Sequence, residues 1–433
     1  MIGKAVVKNR RAAALLGALS LNRIAGAAFP VVLVVSLANA RGYGPAAAVQ
    51  GFWVFSMTAT APFRARLLDR IGRERVLIPQ ATLSVAALLF LAVAATSSHI
   101  PWPIALLAAG LSAIVSPSID AVVRTTWRSI GTDDDEVKAL HSFDSILEEA
   151  GFLLGPLFAS VLMVTVGIRP AVFLVWAAAA AGITLTLSSK EVRSALHSKQ
   201  KSVVSAADTA LPQDVTIEPA PRRIVRTLAG PIASRELQRI VAPLILMGTV
   251  FGILAILVPA MSAAAGSPGD AGFVLACISL GGVVGALVYA TITWAASLRL
   301  RQAVLGLIFG TPLLAGFAAH QLWLLGVLLV AAGLVVTPLY INSYLMMDKE
   351  IPDDVIHEAN TWVPVGNNVG YLLGITLAGV VIGRGEHIEA GLQLVTATAA
   401  VFVAYSVLQV VWARQATQTA AGSPPAPSAA RAG

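Results

Sequence analysis

The 433-residue chain is 57% hydrophobic and only 12% charged, with mean hydropathy +0.78, a balance that excludes a water-soluble domain of this size and indicates an all-α polytopic membrane protein. Its net charge of +7 does not call for a nucleic-acid partner, because the bases gather in connections on one side of the apolar segments. Cys277 is the single cysteine, which excludes a disulfide framework and a cysteine-based metal site.

At the amino end, Lys4, Lys8, Arg10 and Arg11 precede an apolar run too long for the core of a signal peptide and interrupted by Asn22 and Arg23, so it reads as a retained first span. Apolar runs punctuated by Gly, Pro and charge predict twelve transmembrane helices, over 14–39, 45–63, 76–97, 102–123, 139–164, 170–188, 240–264, 271–296, 302–319, 321–346, 358–383 and 391–412. An even number of crossings places both termini on one side. Of the 30 Lys and Arg, only Arg41, Arg169 and Arg384 fall in odd-numbered connections and only Arg23 lies within a span. The positive-inside rule therefore expects cytoplasmic termini and a multi-pass protein of the inner (plasma) membrane.

The polar stretch 189–239, rich in Ser, Ala, Pro and base, divides the spans six and six. It predicts an N-terminal six-helix bundle over 1–188, a cytoplasmic linker over 189–239, a C-terminal bundle over 240–413 and a disordered tail over 414–433. Arg222, Arg223 and Arg226 in the linker are expected near anionic headgroups. The halves also repeat: Glu148-Glu149-Ala150-Gly151-Phe152-Leu153-Leu154-Gly155 aligns without a gap to Asn367-Asn368-Val369-Gly370-Tyr371-Leu372-Leu373-Gly374, a constant offset of 219. Asp134-Asp135 and Asp353-Asp354 precede the two aligned helices, where carboxylates favour free N–H groups. Parallel repeats imply two pseudo-symmetric six-helix bundles about an axis along the membrane normal, with a cavity between them.

Three acids, Asp144, Glu148 and Glu149, lie in the fifth predicted span, where an ionised group costs ~3 kcal/mol on insertion scales. Asp144, Glu148, Gly151 and Gly155 follow i, i+4, i+7, i+11 and form one stripe, with Glu149 about 100° round the helix. Arg23 lies ~14 Å into the first span and the glutamates ~15 Å into the fifth, at 1.5 Å per residue. Base and acids are therefore expected to meet across an aqueous vestibule. One reading has Arg23 holding one carboxylate ionised while a desolvated second, Glu149 first, exchanges protons and on protonation releases Arg23. The plainer reading is a static buried ion pair with Asp144 reaching toward the cytoplasm. In the second half Asn367 and Asn368 replace the glutamates. With Asn22, Arg23, Glu149, Tyr340 and Asn342 they are the expected lining of a cavity for an organic molecule, and Tyr344 and Trp362 lie nearby. Individually, each of the second-half residues is explained more readily by packing than by ligand contact.

Between spans two and three the chain reads Ala65-Arg66-Leu67-Leu68-Asp69-Arg70-Ile71-Gly72-Arg73-Glu74. This resembles the G-x-L-a-D-r-x-G-r-k signature of the major facilitator superfamily, at the loop where that family carries it. The resemblance implies a conformational latch in which Asp69, with Gly72, faces the start of span eleven and Arg73 reaches Asp120 at the cytoplasmic end of span four. Gly151-x-x-x-Gly155-Pro156 resembles the fifth-helix motif of the family's drug and metabolite antiporters, and the positions of Glu149 and Asp144 before Pro156 resemble actinobacterial-type permeases. With Gly281 and Gly285 of span eight, these small residues are expected to form a helix seam between the halves.

What the resemblance implies is a secondary active transporter, monomeric in the lipid bilayer, that exports a small amphiphilic organic substrate against protons by alternating access, with no cofactor, metal or nucleic acid. Its rivals are proton-coupled uptake of a sugar or organic acid, with Arg23 binding the anion, and a non-transporting membrane scaffold. The chain has no nucleophile elbow, zinc-helix or P-loop spacing that an enzyme would need.

Overall fold

Within hydrocarbon, a separate chain segment can satisfy its own N–H and C=O groups only as a helix. The computed structural model describes residues 10–71, 73–119, 122–123, 126–127, 134–190, 192–193, 234–351, 356–383 and 387–422, and among these there is no strand. The helices are α1 Arg10–Arg41, α2 Tyr43–Ile71, α3 Arg73–Thr96, α4 Trp102–Ile114, α5 Asp134–Val166, α6 Ile168–Ser188, α7 Arg235–Ala264, α8 Ala271–Thr291, α9 Leu298–Leu313, α10 Leu322–Gly333, α11 Val336–Glu350, α12 Ile356–Ile382 and α13 Ile388–Gly422. Ten segments are long and apolar enough to cross a membrane, α10 and α11 together making one of them. Among the described residues the 29-residue α2 and the apolar α4, 13 residues long up to its break, bring the helical segments to twelve.

Four of the boundaries that differ from the sequence reading have a local reason. The helix α7 starts at Arg235 rather than at residue 240, because the Ser234 hydroxyl accepts the Leu237 N–H at 3.2 Å and Glu236 sits in the positive first turn. At the other end, α13 runs on to Gly422, through Ala, Arg and Gln of high helix propensity, into the stretch expected to lack structure. Span four breaks after Ile114, ahead of Pro117, whose ring disfavours helical backbone in the residue before it, and helical backbone resumes at Ile119. Span ten breaks at Leu334 and Val335 and restarts with Pro338 in the first turn, where a missing N–H costs nothing. Residues 194–233, which carry Arg222, Arg223 and Arg226, the pair Asp353-Asp354 and the last eleven positions lie outside the described residues.

The repeat read from the sequence positions the same helix pair twice. In the first half α1 packs against α5 and α6, and in the second α7 packs against α12 and α13. Gly151 and Gly155 face Arg23 and Ala27 of α1, and Gly370 and Gly374 face Ile245 and Thr249 of α7, with no room for a Cβ at Gly155, Gly370 or Gly374. Between the halves α2 packs on α12 and α5 on α8, the exchange that a two-fold axis through the middle requires.

These inter-half contacts sit on the face opposite the termini, here called distal. The Tyr43 and Gly44 N–H groups donate to the Gly383 carbonyl at 2.8 and 3.1 Å. Gly383 has φ +56°, a conformation glycine adopts without strain, and this turns its carbonyl outward at the end of α12. The Tyr43 hydroxyl donates to the Pro259 carbonyl at 3.1 Å. On the other seam the Phe273 N–H donates to the Ser160 hydroxyl at 3.1 Å and the Ser279 hydroxyl to the Phe152 carbonyl at 3.3 Å. Among the described residues the link nearest the terminal face is the Asn368 amide to the Thr58 hydroxyl, 3.1 Å. Among the described residues the hydrogen bonds between the halves thus gather toward the distal face.

The predicted glycine seam requires correction. Gly151 and Gly155 hold α5 to α1 within the first half, and Gly281 and Gly285 hold α8 to Val330, Gly333 and Leu334 within the second. Of the residues expected there, only Pro156 meets the opposite half, its carbonyl lying over Gly272 of α8. The physical reason is angular: residues 151 and 155 share a face, and residue 156 lies about 100° round from it.

Candidate functional site

Because the glycine stripe of α5 is pressed onto α1, the acids on that stripe are carried to Arg23. One Arg23 guanidinium nitrogen lies 3.0 Å from an Asp144 carboxylate oxygen and donates to the Asp144 main-chain carbonyl at 2.7 Å, while the other is 4.0 Å from Glu148. The side chains of Arg23 and Asp144 are 8% and 2% exposed, against 41% for Glu148. A buried ion pair with a second, wetter acid alongside is the arrangement that keeps a base tolerable at this depth. Asp144 is therefore the principal partner of Arg23 and does not reach toward the terminal face.

Glu149 faces elsewhere. It shares the i, i+3, i+7, i+11 stripe with Phe152, Pro156 and Ser160, the three residues that touch α8. Glu149 is exposed, on the side of α5 that carries the contacts to α8. Among the described residues neither the Glu149 carboxylate nor the Tyr340 hydroxyl has a hydrogen-bond partner, and no base is paired with Glu149. The expected step in which Glu149 lets go of Arg23 is corrected accordingly, since Arg23 is held by Asp144 and Glu148.

The remaining cavity candidates divide. Tyr344, one turn from Tyr340, is 42% exposed, and Asn368 reaches across to Thr58. Asn367 is partly buried against Gly248 of α7, and its side-chain oxygen has no partner among the described residues. Asn22 is seated against Gly182 of α6. Asn342 is fully buried, donating to the Leu298 carbonyl at 3.0 Å and to Gln302 at 2.7 Å. It pins α11 to α9 and does not line the vestibule.

The side chains of Asp69, Gly72, Arg73 and Asp120 lie outside the described residues. The second half carries an ion pair at the position corresponding to the expected Arg73 and Asp120 latch. Arg299, at the start of α9, grips Glu350, at the end of α11, through two bonds of 2.9 and 3.1 Å. Arg299 is 40% exposed, so water screens the pair. Arg299→Gln is expected to lower stability by at most ~1 kcal/mol and to be read mainly in transport rate, as measured by thermal unfolding beside flux.

Sequence reasoning also missed the two helix breaks. Pro117 and Pro338 are 221 positions apart, close to the repeat offset, so spans four and ten are interrupted at matching heights. The buried Arg64 guanidinium of α2 caps the first break, donating to the Ala113 carbonyl at 2.6 Å, the Thr60 hydroxyl at 2.9 Å and the Met57 carbonyl at 3.1 Å. Irregular backbone at membrane depth survives where such groups satisfy it or where it lines a cavity.

A sequence-family model described as Major Facilitator Superfamily matches residues 15–374. The chain belongs to the Major Facilitator Superfamily. No curated protein sequence matches it. Among solved superfamily structures, the nucleoside transporter NupG is 13% identical, with 94% of this chain and 98% of that one covered and a TM-score of 0.65. A bacterial homologue of the iron transporter ferroportin in an inward-facing state is 11% identical, with 92% and 98% covered and a TM-score of 0.66. A POT family transporter in complex with 5-aminolevulinic acid is 13% identical, with 94% and 96% covered and a TM-score of 0.63. At these identities the likeness is one of fold, and this member of the superfamily has to be read from its own site.

Proposed function

We propose that this superfamily transporter exports a small amphiphilic organic molecule in exchange for protons. The observation that supports the reading best is the division of labour on α5. Asp144 and Glu148 are engaged with Arg23, whereas Glu149 is exposed and not paired with a base among the described residues, which leaves its carboxylate able to take up and release a proton. The distribution of Lys and Arg supports a cytoplasmic terminal face, and on this reading the inter-half bonds gathered at the distal face form the outer seam. Rocking of the halves about the α2–α12 and α5–α8 contacts would then carry Glu149 from one bath to the other. The rival, uptake of an anionic substrate on Arg23, is disfavoured because two acids already occupy that guanidinium. The plain scaffold reading offers no reason for Glu149.

In proteoliposomes loaded with a pH-sensitive dye, substrate movement is expected to drive proton movement in the opposite direction, and Glu149→Gln to abolish the coupled proton flux. Flux in Glu149→Gln equal to wild type would remove Glu149 from the cycle. Growth of a host with and without the gene on a panel of toxic compounds separates export, which protects, from uptake, which sensitises.

A further inference from the structure

We infer that the break in span four is a hinge held by the Arg64 guanidinium, at which the first half flexes as the halves rock, while the second half moves as one rigid body. The inference goes beyond the export reading and holds for either direction of transport. It starts from the carbonyls that two prolines orphan. In a continuous helix the Ala113 carbonyl accepts the N–H of residue 117 and the Leu334 carbonyl that of residue 338. Both of those residues are proline and have no N–H to give. The Ala113 carbonyl keeps a long bond from the Ser116 N–H, 3.3 Å, and takes the Arg64 guanidinium at 2.6 Å. The Leu334 carbonyl is met instead by the main chain of Gly285, with no room for a Cβ.

Arg64 and Gly285 are themselves 221 positions apart, and so are Thr60 and Gly281, and Ser112 and Gly333. Each of these polar residues at the first break thus has a glycine as its counterpart at the second. Gly281 and Gly285 of α8 press on Val330, Gly333 and Leu334, and Gly333 presses on Ile278, main chain against main chain. A crossing of that kind has no side-chain torsion with which to adjust. In the first half the same crossing runs through side chains. The Thr60 hydroxyl donates to the Ser56 carbonyl at 2.6 Å and accepts Arg64 at 2.9 Å, and the Ser112 hydroxyl donates to the Ala109 carbonyl at 2.9 Å. Arg64, 8% exposed, reaches Ala113 at the end of a long side chain that can follow the carbonyl as it shifts. Its Nε–H is buried without a partner among the described residues, so the fork holds a donor in reserve. Among the described residues no carboxylate is paired with it either. A fixed cap is better served by a neutral donor, since an ionised group at membrane depth is costly. A charge keeps its hold on a carbonyl dipole over a wider gap.

The test measures the bend by pulsed electron paramagnetic resonance on the full chain in nanodiscs, with Cys277→Ser. One pair of spin labels sits at Ile104 and Ser118 and the other at Val327 and Ile341, each pair straddling a break and ~21 Å apart along a continuous helix. The 104–118 distances are expected to spread at least twice as widely as the 327–341 distances. Arg64→Met should widen the 104–118 spread further and lower the thermal unfolding midpoint, and Arg64→Lys should recover much of both. Adding Pro117→Ala to Arg64→Met returns the missing N–H, so it should restore the midpoint and collapse the spread to one narrow peak. Equal spreads in the two halves, or an unchanged spread in Arg64→Met, overturn the hinge. A midpoint that Pro117→Ala does not restore overturns the role given to Arg64. Neither substrate nor proton gradient enters this measurement. Its failure therefore leaves the export reading standing, and an absence of coupled proton flux leaves the hinge standing.

Discussion

Arg23→Ala is expected to abolish transport and to lower stability by about 3–5 kcal/mol, because it leaves the buried Asp144 carboxylate without its compensating charge. Both side chains are nearly inaccessible, so solvent screening does not reduce that cost. The double variant Arg23→Met with Asp144→Leu should recover most of the stability, since two apolar groups of similar volume need no partner, yet it should remain inactive. Unfolding followed in detergent, beside flux in proteoliposomes, measures both. A double variant no more stable than Arg23→Ala would show that the pair is not what the single substitution disrupts.

Gly272→Leu is expected to hold the distal face open. A side chain at this position would enter the Pro156 carbonyl and the Ser160 hydroxyl, the point where α5 and α8 close on each other. Overpacking of this kind costs about 1–3 kcal/mol against the closed seam, which is a population shift of roughly 5- to 160-fold and a corresponding loss of turnover. Spin labels at Thr165 and Ser267, either side of that seam, should move apart when measured by pulsed electron paramagnetic resonance. An unchanged separation with full transport would mean that the α5–α8 contact is not a gate.

Much of the architecture was legible in the chain because the bilayer imposes simple rules. Segment length, loop charge and the Gly151/Gly370 repeat each report on one physical requirement, and all agree on six helices plus six. The pairing of Arg23 was legible too, once the stripe through Asp144, Glu148, Gly151 and Gly155 is taken as a single face. Whatever helix the glycines approach, the acids approach with them, and Glu149 is thereby turned away. What could not be read was which helix that was. Small residues announce close contact without naming the partner, so Gly281 and Gly285 were paired with α5 when they belong to α10. The interruptions at Pro117 and Pro338 vanish when hydropathy is averaged along a span, since the flanking residues remain apolar. Asn342 looked like a cavity residue because its polarity is visible in sequence, whereas its satisfaction by Leu298 and Gln302 depends on how α9 and α11 pack.

The clasp between Gly383 and the amides of Tyr43 and Gly44 is built from peptide groups, with a phenol in support, and contains nothing that titrates near neutrality. The bonding groups of the clasp therefore keep their charge state whatever the acidity around them, and side-chain substitutions nearby leave those groups in place. A chemical signal that parts the halves through a change of charge has to be received by other groups, and the clasp itself follows.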